Sequence, residues 1–226
     1  MSTKVILFDV DGTLLVHNDL MPDCLYKTLA HYGVDVKLDA KELSGKTDLQ
    51  NFKFYLQKAG YRSDELEKVA AALCRKLVVV VKDQISSYDM KPASGVIRLL
   101  EKLHMYGYTM GLLTGNVEDI VPVKLSAAGI HMGYFSFGAY GDERELREDL
   151  AGLALERAEA ELGIALDGEE VLVVGDTPRD ITCARSIGAR VLAVPGGKYS
   201  HQELEDAQPD YLLSDLSDMK KFRNCL

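Results

Sequence analysis

Residues 5–14, VILFDVDGTL, are the stretch from which the architecture of this chain is predicted. An apolar run too short for a typical helix ends here in two carboxylates, Asp9 and Asp11, and a glycine. This pattern is typical of a buried strand that emerges at a ligand-binding edge of a sheet. Because side chains alternate along a strand, both carboxylates are expected on the same side. Such a pair favours a cation, and a hard divalent metal such as Mg²⁺ suits it.

A second run of this kind occurs late in the chain, in VLVVGDTPRD at residues 171–180. Alone, the N-terminal pattern also fits a strand followed by a surface turn, because Asp-Gly is a common turn dipeptide. Two distant strands that both end in carboxylates favour one composite site over that alternative.

Length and composition limit the function classes that need to be considered. The 226 residues are 47% hydrophobic and 27% charged, which is typical of a globular protein with an α/β core and room for a small accessory domain. The formal net charge of -9 argues against nucleic acid and against anionic membrane surfaces as partners. The chain has no signal-peptide pattern or membrane-spanning stretch, so we expect a cytoplasmic protein. Its four cysteines are far apart in sequence, which disfavours zinc or disulfide sites.

The periodicity of apolar residues divides the chain into two parts. Residues 17–88 have helical spacing with no strong strand signal, and we call them the helical insertion. The run VVVV at 78–81 is compatible with a strand, but a helix that continues toward Ser86 is preferred, because the helical stripe passes through the run without a breaker. From Lys91 onward, helix and strand patterns alternate. The sequence therefore predicts a doubly wound, parallel-sheet α/β core of Rossmann-like type from residues 1–16 and 89–226, with residues 17–88 as a small α-helical domain.

Polar residues follow several of the predicted strands and converge in such a fold. Parallel strands present their carboxyl ends along one edge, so Asp9, Asp11, Thr114, Asp176 and Asp180 are expected to meet there. This set suits phosphoryl transfer. Asp9 is predicted to attack phosphorus, Asp11 to donate a proton and then activate water, and Asp9 and Asp176 to hold a metal.

Three motifs in this order resemble those of the haloacid dehalogenase superfamily of phosphotransferases. They are DVDGT at 9–13, LLTGN at 112–116 and GDTPRD at 175–180. The resemblance implies an aspartyl-phosphate on Asp9, and an acid/base role for Asp11, which would also bind the metal through its main chain. It further implies that Asp176 binds Mg²⁺ and that Asp180 completes or supports that site.

The phosphate group is expected to contact the second motif. Thr114 and the neighbouring Gly115 and Asn116 are the predicted contacts to its oxygens.

The third motif of this superfamily is normally a lysine that neutralises the nucleophile and the phosphate. Here LREDL at 146–150 occupies the expected region, and Arg147 is the candidate. An arginine keeps the charge but is not geometrically equivalent to lysine. Lys124, on the helix after Thr114, is the alternative. Either residue is also compatible with an ordinary solvated helix charge.

The helical insertion resembles the cap of phosphoglycolate-phosphatase-like and beta-phosphoglucomutase-like members. Its segment GKTD at 45–48 is similar to their substrate-specificity loop, which makes Lys46 and Thr47 candidate substrate contacts. The same segment is also compatible with a simple turn between helices.

The sequence thus predicts a Mg²⁺-dependent phosphatase that acts on a small phosphorylated metabolite, with phosphoglycolate or a related acid as the substrate class implied by resemblance. One alternative is a sugar-phosphate mutase. Another is a non-catalytic binding protein of the same fold, against which the intact Asp9, Asp11 and Asp176 argue. Monomer and homodimer both remain open.

Overall fold

A parallel β-sheet forms the centre of the molecule in the computed structural model, which describes residues 3–226. The strands of this range are β1 (Val5–Phe8), β2 (Thr109–Leu113), β3 (Phe137–Ala139), β4 (Val171–Gly175), β5 (Arg190–Ala193) and β6 (Tyr211–Leu212). They are arranged in the order β3-β2-β1-β4-β5-β6, and all neighbours are parallel. Phe8 at the end of β1 pairs with Leu112 on one side and Val174 on the other. The carboxyl ends of these three strands are therefore level.

The chain reverses its direction of winding beside β1. It passes from β1 to β2 and β3 on one side, and then crosses to β4, β5 and β6 on the other. In open α/β sheets, ligands bind at such a reversal, outside the carboxyl ends of the strands. Asp9 and Asp176 are the residues that follow β1 and β4 at this point.

Helices cover both faces of the sheet. Side chains of β1 alternate, so that Ile6 and Phe8 belong to one buried apolar cluster while Val5 and Leu7 belong to the other. Four helices, α1–α4, belong to the insertion and are described below. The helices that follow it are α5 (Val96–Met105), α6 (Val121–Ala127), α7 (Arg147–Leu162), α8 (Pro178–Ser186), α9 (His201–Asp206) and α10 (Met219–Arg223). This arrangement confirms the doubly wound, Rossmann-like fold.

The helical insertion contains α1 (Leu20–His31), α2 (Ala40–Leu43), α3 (Asp48–Lys58) and α4 (Ser63–Gln84). The long helix α4 packs against both α1 and α3. It runs through the valine run at 78–81 without a break, which confirms the helix rather than the strand there. The valine run is helical because Leu73, Leu77 and Val81 continue one buried stripe.

Two local features of the structure go beyond the coarse sequence pattern. The apolar and polar residues at 134–140 alternate like a strand, but only Phe137–Ala139 form one, as β3, because a 3₁₀ turn over Met132–Tyr134 precedes it. The short helix α10 was not expected, since five residues are too few to show a helical period. Its signal is local, because Asp218 accepts hydrogen bonds from the N–H groups of Lys220 and Lys221 as an N-cap.

The insertion is hydrogen-bonded to loops of the α/β core. The N–H of Asp48 donates to the carbonyl of Gly115 at 2.7 Å. The hydroxyl of Thr47 donates to the carbonyl of Glu145, also at 2.7 Å, while it accepts from the N–H of Gln50 as the N-cap of α3. These bonds place the first turn of α3 directly above the carboxyl edge of β2.

Apolar packing continues across the same boundary. One buried cluster includes Phe8 of the sheet together with Leu25 and Leu73 of the insertion. Over residues 3–226, no helix combines the length and the apolar character that crossing a membrane requires.

The buried Asp48 is expected to make the stability of this arrangement depend on pH. Burial raises the pKa of its carboxyl from 3.8 to about 7, although the Val117 N–H that it accepts opposes the shift. Between these pH values the native state binds more protons than the unfolded state, so this group lowers the free energy of unfolding as pH rises. We expect wild-type protein to lose about 2–4 kcal/mol relative to Asp48→Asn between pH 4 and 7, as measured by urea unfolding.

The exposed Asp83→Asn on α4 is the matched control for this prediction. Its free energy of unfolding should remain parallel to that of wild type over the same pH range. Parallel curves for Asp48→Asn would contradict the burial of an ionisable carboxyl at position 48.

Candidate active site

A cluster of three buried carboxylates lies at the carboxyl edge of β1 and β4. Asp9, Asp176 and Asp180 each offer an oxygen atom, and these atoms all lie within 4.8 Å of one another. Asp180 is placed by a capping box at the start of α8. Its N–H donates to the hydroxyl of Thr177, and its Oδ2 accepts from the Thr177 N–H at 2.9 Å.

Burial makes the ionised forms of this cluster unfavourable. The pKa of Asp9 is raised to about 7 by burial and by the nearby Asp180, with Arg147 acting in the opposite direction. The pKa of Asp176 is raised well above its usual value by burial and then by Asp9. Like charges at such distances in a poorly solvated site require compensation by positive charge.

The residues present fit a divalent metal ion. Among the described residues, Oδ1 of Asp176 is buried and has no hydrogen-bond partner. The other oxygen, Oδ2, lies against the backbones of two glycines. A Cβ atom added at Gly12 would be 2.2 Å from this oxygen, and one added at Gly197 would be 1.7 Å from it. Carboxylate oxygens are the ligands that Mg²⁺ prefers in proteins. An unpartnered carboxylate oxygen inside an acidic cluster is therefore a suitable metal ligand.

Arg147 is the cation that the structure brings to this cluster. It is the first residue of α7 and only 5% exposed. Its Nη2 donates to Asp9 Oδ1 at 2.8 Å and to Asp180 Oδ1 at 2.5 Å. Its Nη1 donates to the carbonyl of Gly45 in the insertion at 3.3 Å, while its buried Nε has no partner among the described residues. Both carboxylates raise the pKa of Arg147, although burial opposes them, so it stays charged.

Asp11 does not join the metal cluster, which differs from the expectation that Asp9 and Asp11 share one side. The reason is that β1 ends at Phe8 and the chain then turns, with Gly12 at φ +85°. Both oxygens of Asp11 lie 2.5 Å from Nζ of Lys124 instead. Two residues that were predicted to have the same surroundings are therefore in contact with different cations.

Lys124 and Asn116 hold the Asp11 side chain. Lys124 is 1% exposed and also donates to Asn116 Oδ1 at 2.7 Å, while Asn116 Nδ2 donates to Asp11 Oδ2 at 2.8 Å. Burial acts to raise the pKa of Asp11, but Lys124 and Asn116 outweigh it and the pKa is lowered. Of the two residues considered for the third-motif cation, Arg147 thus contacts the predicted nucleophile and Lys124 contacts the predicted acid/base.

The second motif, residues 112–116, places a buried threonine beside Asn116 and a glycine against the insertion. Thr114 follows β2 and is fully buried, and its hydroxyl accepts hydrogen bonds from Asn116. Gly115 lies against the insertion, because a Cβ at this position would be 2.1 Å from the carbonyl oxygen of Lys46. Only glycine allows this close approach of the two backbones.

A cavity of about 80 Å³ lies between the sheet edge and the insertion. The α/β core contributes most of the charged side chains in the lining, and the insertion contributes a wall of both apolar and polar residues. The core residues in the lining include Asp9, Asp11, Gly115, Asn116, Arg147, Asp176 and Thr177. The insertion residues include His17, Asn18, Met21, Pro22, Leu25, Leu43, Lys46, Asp48 and Asn51.

The two predicted contacts from the insertion are placed differently. Lys46 lines the cavity, with its Nζ 2.7 Å from Glu42 and 4.4 Å from the centre of the Phe54 ring. The structure does not bring Thr47 to the cavity, because its hydroxyl caps α3 and bonds to the core. The spacing of Thr47 and Gln50 is a helix-start signal in the sequence, so the capping role was detectable there.

Asp48 and Asn51 were not predicted as site residues, although both line the cavity. They lie three residues apart in the first turn of α3 and therefore share one face of that helix. Once Thr47 is recognised as the N-cap, this face follows from helical periodicity. That it faces a cavity depends on tertiary packing.

Comparison with known proteins places these features in a family. The family model described as haloacid dehalogenase-like hydrolase matches residues 6–194. Pyrophosphatase PpaX of Bacillus velezensis is 26% identical over 219 residues, which cover 95% of this chain and 93% of that protein. Phosphoglycolate phosphatase of Mesorhizobium japonicum is 27% identical over 225 residues, covering 95% of this chain and 92% of that protein.

Solved structures have the same fold. The crystal structure of CbbY from Rhodobacter sphaeroides in complex with phosphate has a TM-score of 0.76 at 22% identity, with 96% of each chain covered. The structure of beta-phosphoglucomutase from Clostridium difficile has a TM-score of 0.73 at 15% identity, covering 99% of this chain and 96% of that one. Because the family model spans most of the 226 residues, this chain belongs to the haloacid dehalogenase-like hydrolases.

Proposed function

We propose that this hydrolase is a Mg²⁺-dependent phosphatase of small phosphorylated metabolites that forms a covalent aspartyl-phosphate on Asp9. The observation that carries the proposal is the buried Asp9 carboxylate, which lines a cavity and has Arg147 on one oxygen. Two relatives are named for the hydrolysis of phosphate compounds, pyrophosphatase and phosphoglycolate phosphatase, which supports a phosphorylated substrate. Phosphoglycolate is accordingly a reference substrate for assays.

In the first half-reaction, an oxygen of Asp9 attacks the phosphorus of the ester. A bond forms between Asp9 and phosphorus, and the bond from phosphorus to the leaving oxygen breaks. Asp11 is protonated when the anionic phosphate lies beside it and raises its pKa, and it gives this proton to the leaving oxygen, so the alcohol leaves neutral.

In the second half-reaction, the ionised Asp11 takes a proton from water as that water attacks the same phosphorus. The bond to Asp9 breaks, inorganic phosphate leaves, and both carboxyl groups return to their starting states. Lys124 and Asn116 keep the Asp11 carboxylate in one orientation through both steps, so that it can serve first as acid and then as base.

Arg147 and a metal held by the acidic cluster would offset the negative charge of the nucleophile and the phosphate during phosphoryl transfer. The arginine stabilises the ionised nucleophile, and its Nε, which has no partner among residues 3–226, would donate to a phosphate oxygen. Asp9, Asp176 and Asp180 would hold the metal, with Asp11 contributing through its main chain. When bound, Mg²⁺ supplies positive charge that offsets the phosphate and the carboxylates.

The helical insertion, residues 17–88, acts in this proposal as a cap. Its helices cover the cavity, and the hydrogen bonds from Thr47 and Asp48 to the core hold it closed. A closed cap excludes bulk water and strengthens the electrostatic contacts at Asp9. Opening of the cap would admit the substrate and release the products.

Replacing the nucleophile tests the covalent step. We expect Asp9→Asn to lower turnover by about 10³-fold or more, because an amide does not attack phosphorus. Phosphate release from phosphoglycolate and from p-nitrophenyl phosphate measures this. Acid quenching should trap hydroxylamine-sensitive phosphate on wild-type protein and none on the variant.

Asp149→Asn, an exposed position on α7, is the control and should behave as wild type. Full activity of Asp9→Asn would contradict the covalent mechanism. Interconversion of phosphate isomers without net phosphate release would instead indicate a mutase.

The two buried cations are expected to affect different steps. Arg147→Met should slow formation of the phosphoenzyme by about 10²–10³-fold, because the nucleophile loses its partner, and Arg147→Lys should restore part of this rate. Lys124→Met should mainly slow breakdown of the phosphoenzyme, because without the lysine the pKa of Asp11 rises and the carboxylate is less available as the base that activates water. Rapid-quench kinetics separate the two steps.

Arg147→Met leaves buried carboxylates unpaired and is expected to reduce stability by about 3–5 kcal/mol, so assays belong well below the measured Tm of each variant. Arg144→Met, an exposed position close by, is the control. If Arg147→Met turned over normally while Lys124→Met did not, the two cation roles would have to be exchanged.

Metal binding should be visible without any substrate. We expect Mg²⁺ at 100 times its Kd to stabilise the protein by about 2.7 kcal/mol, measured as a rise in Tm. Asp176→Asn should remove most of this rise, while the exposed Asp149→Asn should keep it. An unchanged rise in the Asp176 variant would place the metal elsewhere. Chelation should abolish phosphate release by wild-type protein.

A further inference from the structure

The insertion side of the cavity contains polar atoms that the catalytic groups do not use. Asn51 is 3% exposed, and its Oδ1 has no hydrogen-bond partner among the described residues. Its Nδ2 donates a long hydrogen bond, 3.4 Å, to the carbonyl of Leu43. Nε2 of His17 is also buried without a partner in the described part of the chain. A bound molecule with hydrogen-bond donors would satisfy the Asn51 oxygen.

Asp48 adds a carboxyl group to the same wall. It is 4% exposed, and its Oδ2 accepts the Val117 N–H at 3.0 Å. Its carboxylate forms no salt bridge with any of residues 3–226. Whether protonated or ionised, this group offers a hydrogen bond to a hydroxyl and no positive charge to an anion.

Each positive charge that lines the cavity already has a carboxylate partner, within the described residues. The cations that line the cavity are Lys46 and Arg147. Lys46 is already paired with Glu42, and Arg147 is shared between Asp9 and Asp180.

Two further groups near the cavity do not change this balance. Arg179 does not line it among the described residues, and it donates to the carbonyl of Ser44. Burial and then Lys198 lower the pKa of His17, so that it is neutral at pH 7.

The remaining wall is apolar. It consists of the side chains of Met21, Pro22, Leu25 and Leu43. Such a surface suits the carbon skeleton of a small leaving group, while Asp48 and Asn51 suit its hydroxyl groups.

A negatively charged leaving group meets different conditions. The carboxylate of phosphoglycolate, or the second phosphate of pyrophosphate, would lie near Asp48 with only the paired Lys46 to offset it. Its oxygens would also leave the Asn51 oxygen without a donor. Both effects disfavour the acid relative to an uncharged alcohol.

We propose that this site prefers phosphate monoesters whose leaving group is neutral and hydroxylated, such as a small polyol or sugar, over esters whose leaving group is anionic. The inference rests on the proposed phosphatase function and departs from the substrates in the relatives' names. The specificity is assigned to Asp48 and Asn51, on one face of α3.

Three esters with the same two-carbon skeleton test the preference. They differ in the leaving group, which carries a neutral hydroxyl in 2-hydroxyethyl phosphate, a carboxylate in phosphoglycolate and an ammonium in phosphoethanolamine. With wild-type protein and Mg²⁺, we expect kcat/KM for the hydroxyl ester to exceed that for the carboxylate ester by about 10-fold or more. Glycerol 3-phosphate should exceed 3-phosphoglycerate in the same sense. Equal values, or a preference for the carboxylate or the ammonium ester, would overturn the proposal.

Variants locate the preference on α3. Asp48→Asn keeps an oxygen for the Val117 N–H but removes the charge. It should lower the ratio of kcat/KM for the hydroxyl ester to kcat/KM for the carboxylate ester by about 10-fold. Asn51→Leu should raise KM for the hydroxyl ester by about 5–10-fold and leave phosphoglycolate unchanged. Gln57→Leu, an exposed amide on the same helix, should change neither. A ratio that is unaltered in both Asp48→Asn and Asn51→Leu would remove the assignment to this face.

Hydrolysis of p-nitrophenyl phosphate separates this proposal from the function on which it rests. If that ester is hydrolysed in wild type and not in Asp9→Asn, while the hydroxyl esters are not preferred, the phosphatase stands and only the specificity is wrong. If no ester is hydrolysed, both proposals fail.

Discussion

Three carboxylates with little access to water share the edge of the sheet beside β1, and one arginine lies between two of them. At an effective dielectric constant of about 20, two unit charges 5 Å apart repel by about 3 kcal/mol. Arg147 alone cannot offset three such charges, so the ionised cluster depends on a further cation. The strand order makes this arrangement possible, because only adjacent parallel strands bring Asp9 and Asp176 to the same level from positions far apart in sequence. The capping box of α8 then adds Asp180 to them.

The two buried cations reach this edge from opposite faces of the sheet. Lys124 belongs to α6, whose apolar residues pack with Phe8, whereas Arg147 begins α7, which packs with Leu7. Each cation therefore meets a different aspartate of the DVDGT motif. This separation gives the two carboxylates different electrostatic surroundings although they are two residues apart. Burial raises the pKa of Asp9, while Lys124 and Asn116 more than offset burial at Asp11 and lower its pKa. These directions are the reverse of what an ionised nucleophile and a proton donor need, so the proposed reaction depends on added charge: a cation beside Asp9 favours its ionised form, and the anionic phosphate of a substrate beside Asp11 favours its protonated form.

The sequence was sufficient for the fold, the order of the motifs and the convergence of Asp9, Asp176 and Asp180, because short apolar runs that end in carboxylates are typical of buried strands that lead into a ligand site. It did not distinguish Arg147 from Lys124, since the choice depends on which face of the sheet each helix covers. It also did not separate Asp11 from Asp9, because strand alternation stops where β1 ends at Phe8. The segment GKTD predicted a substrate contact at Thr47, but Asp48 and not Thr47 lines the cavity, although the capping pattern of the segment already indicates the start of a helix. These differences arise from tertiary packing and from this one local capping signal.

In the proposed function, the core carries out the chemistry and the insertion selects the substrate. Asp9, the proposed nucleophile, directly follows a strand of the sheet, where backbone hydrogen bonds hold the chain rigidly. Asp48 and Asn51, the proposed contacts to the leaving group, come from the first turn of α3, which Thr47 caps and Asp48 attaches to the core. The proposed specificity residues thus belong to a different element from the proposed nucleophile. Relatives at 26–27% identity therefore share the reaction more readily than the substrate, and the charges that line this cavity are the better guide to what it accepts.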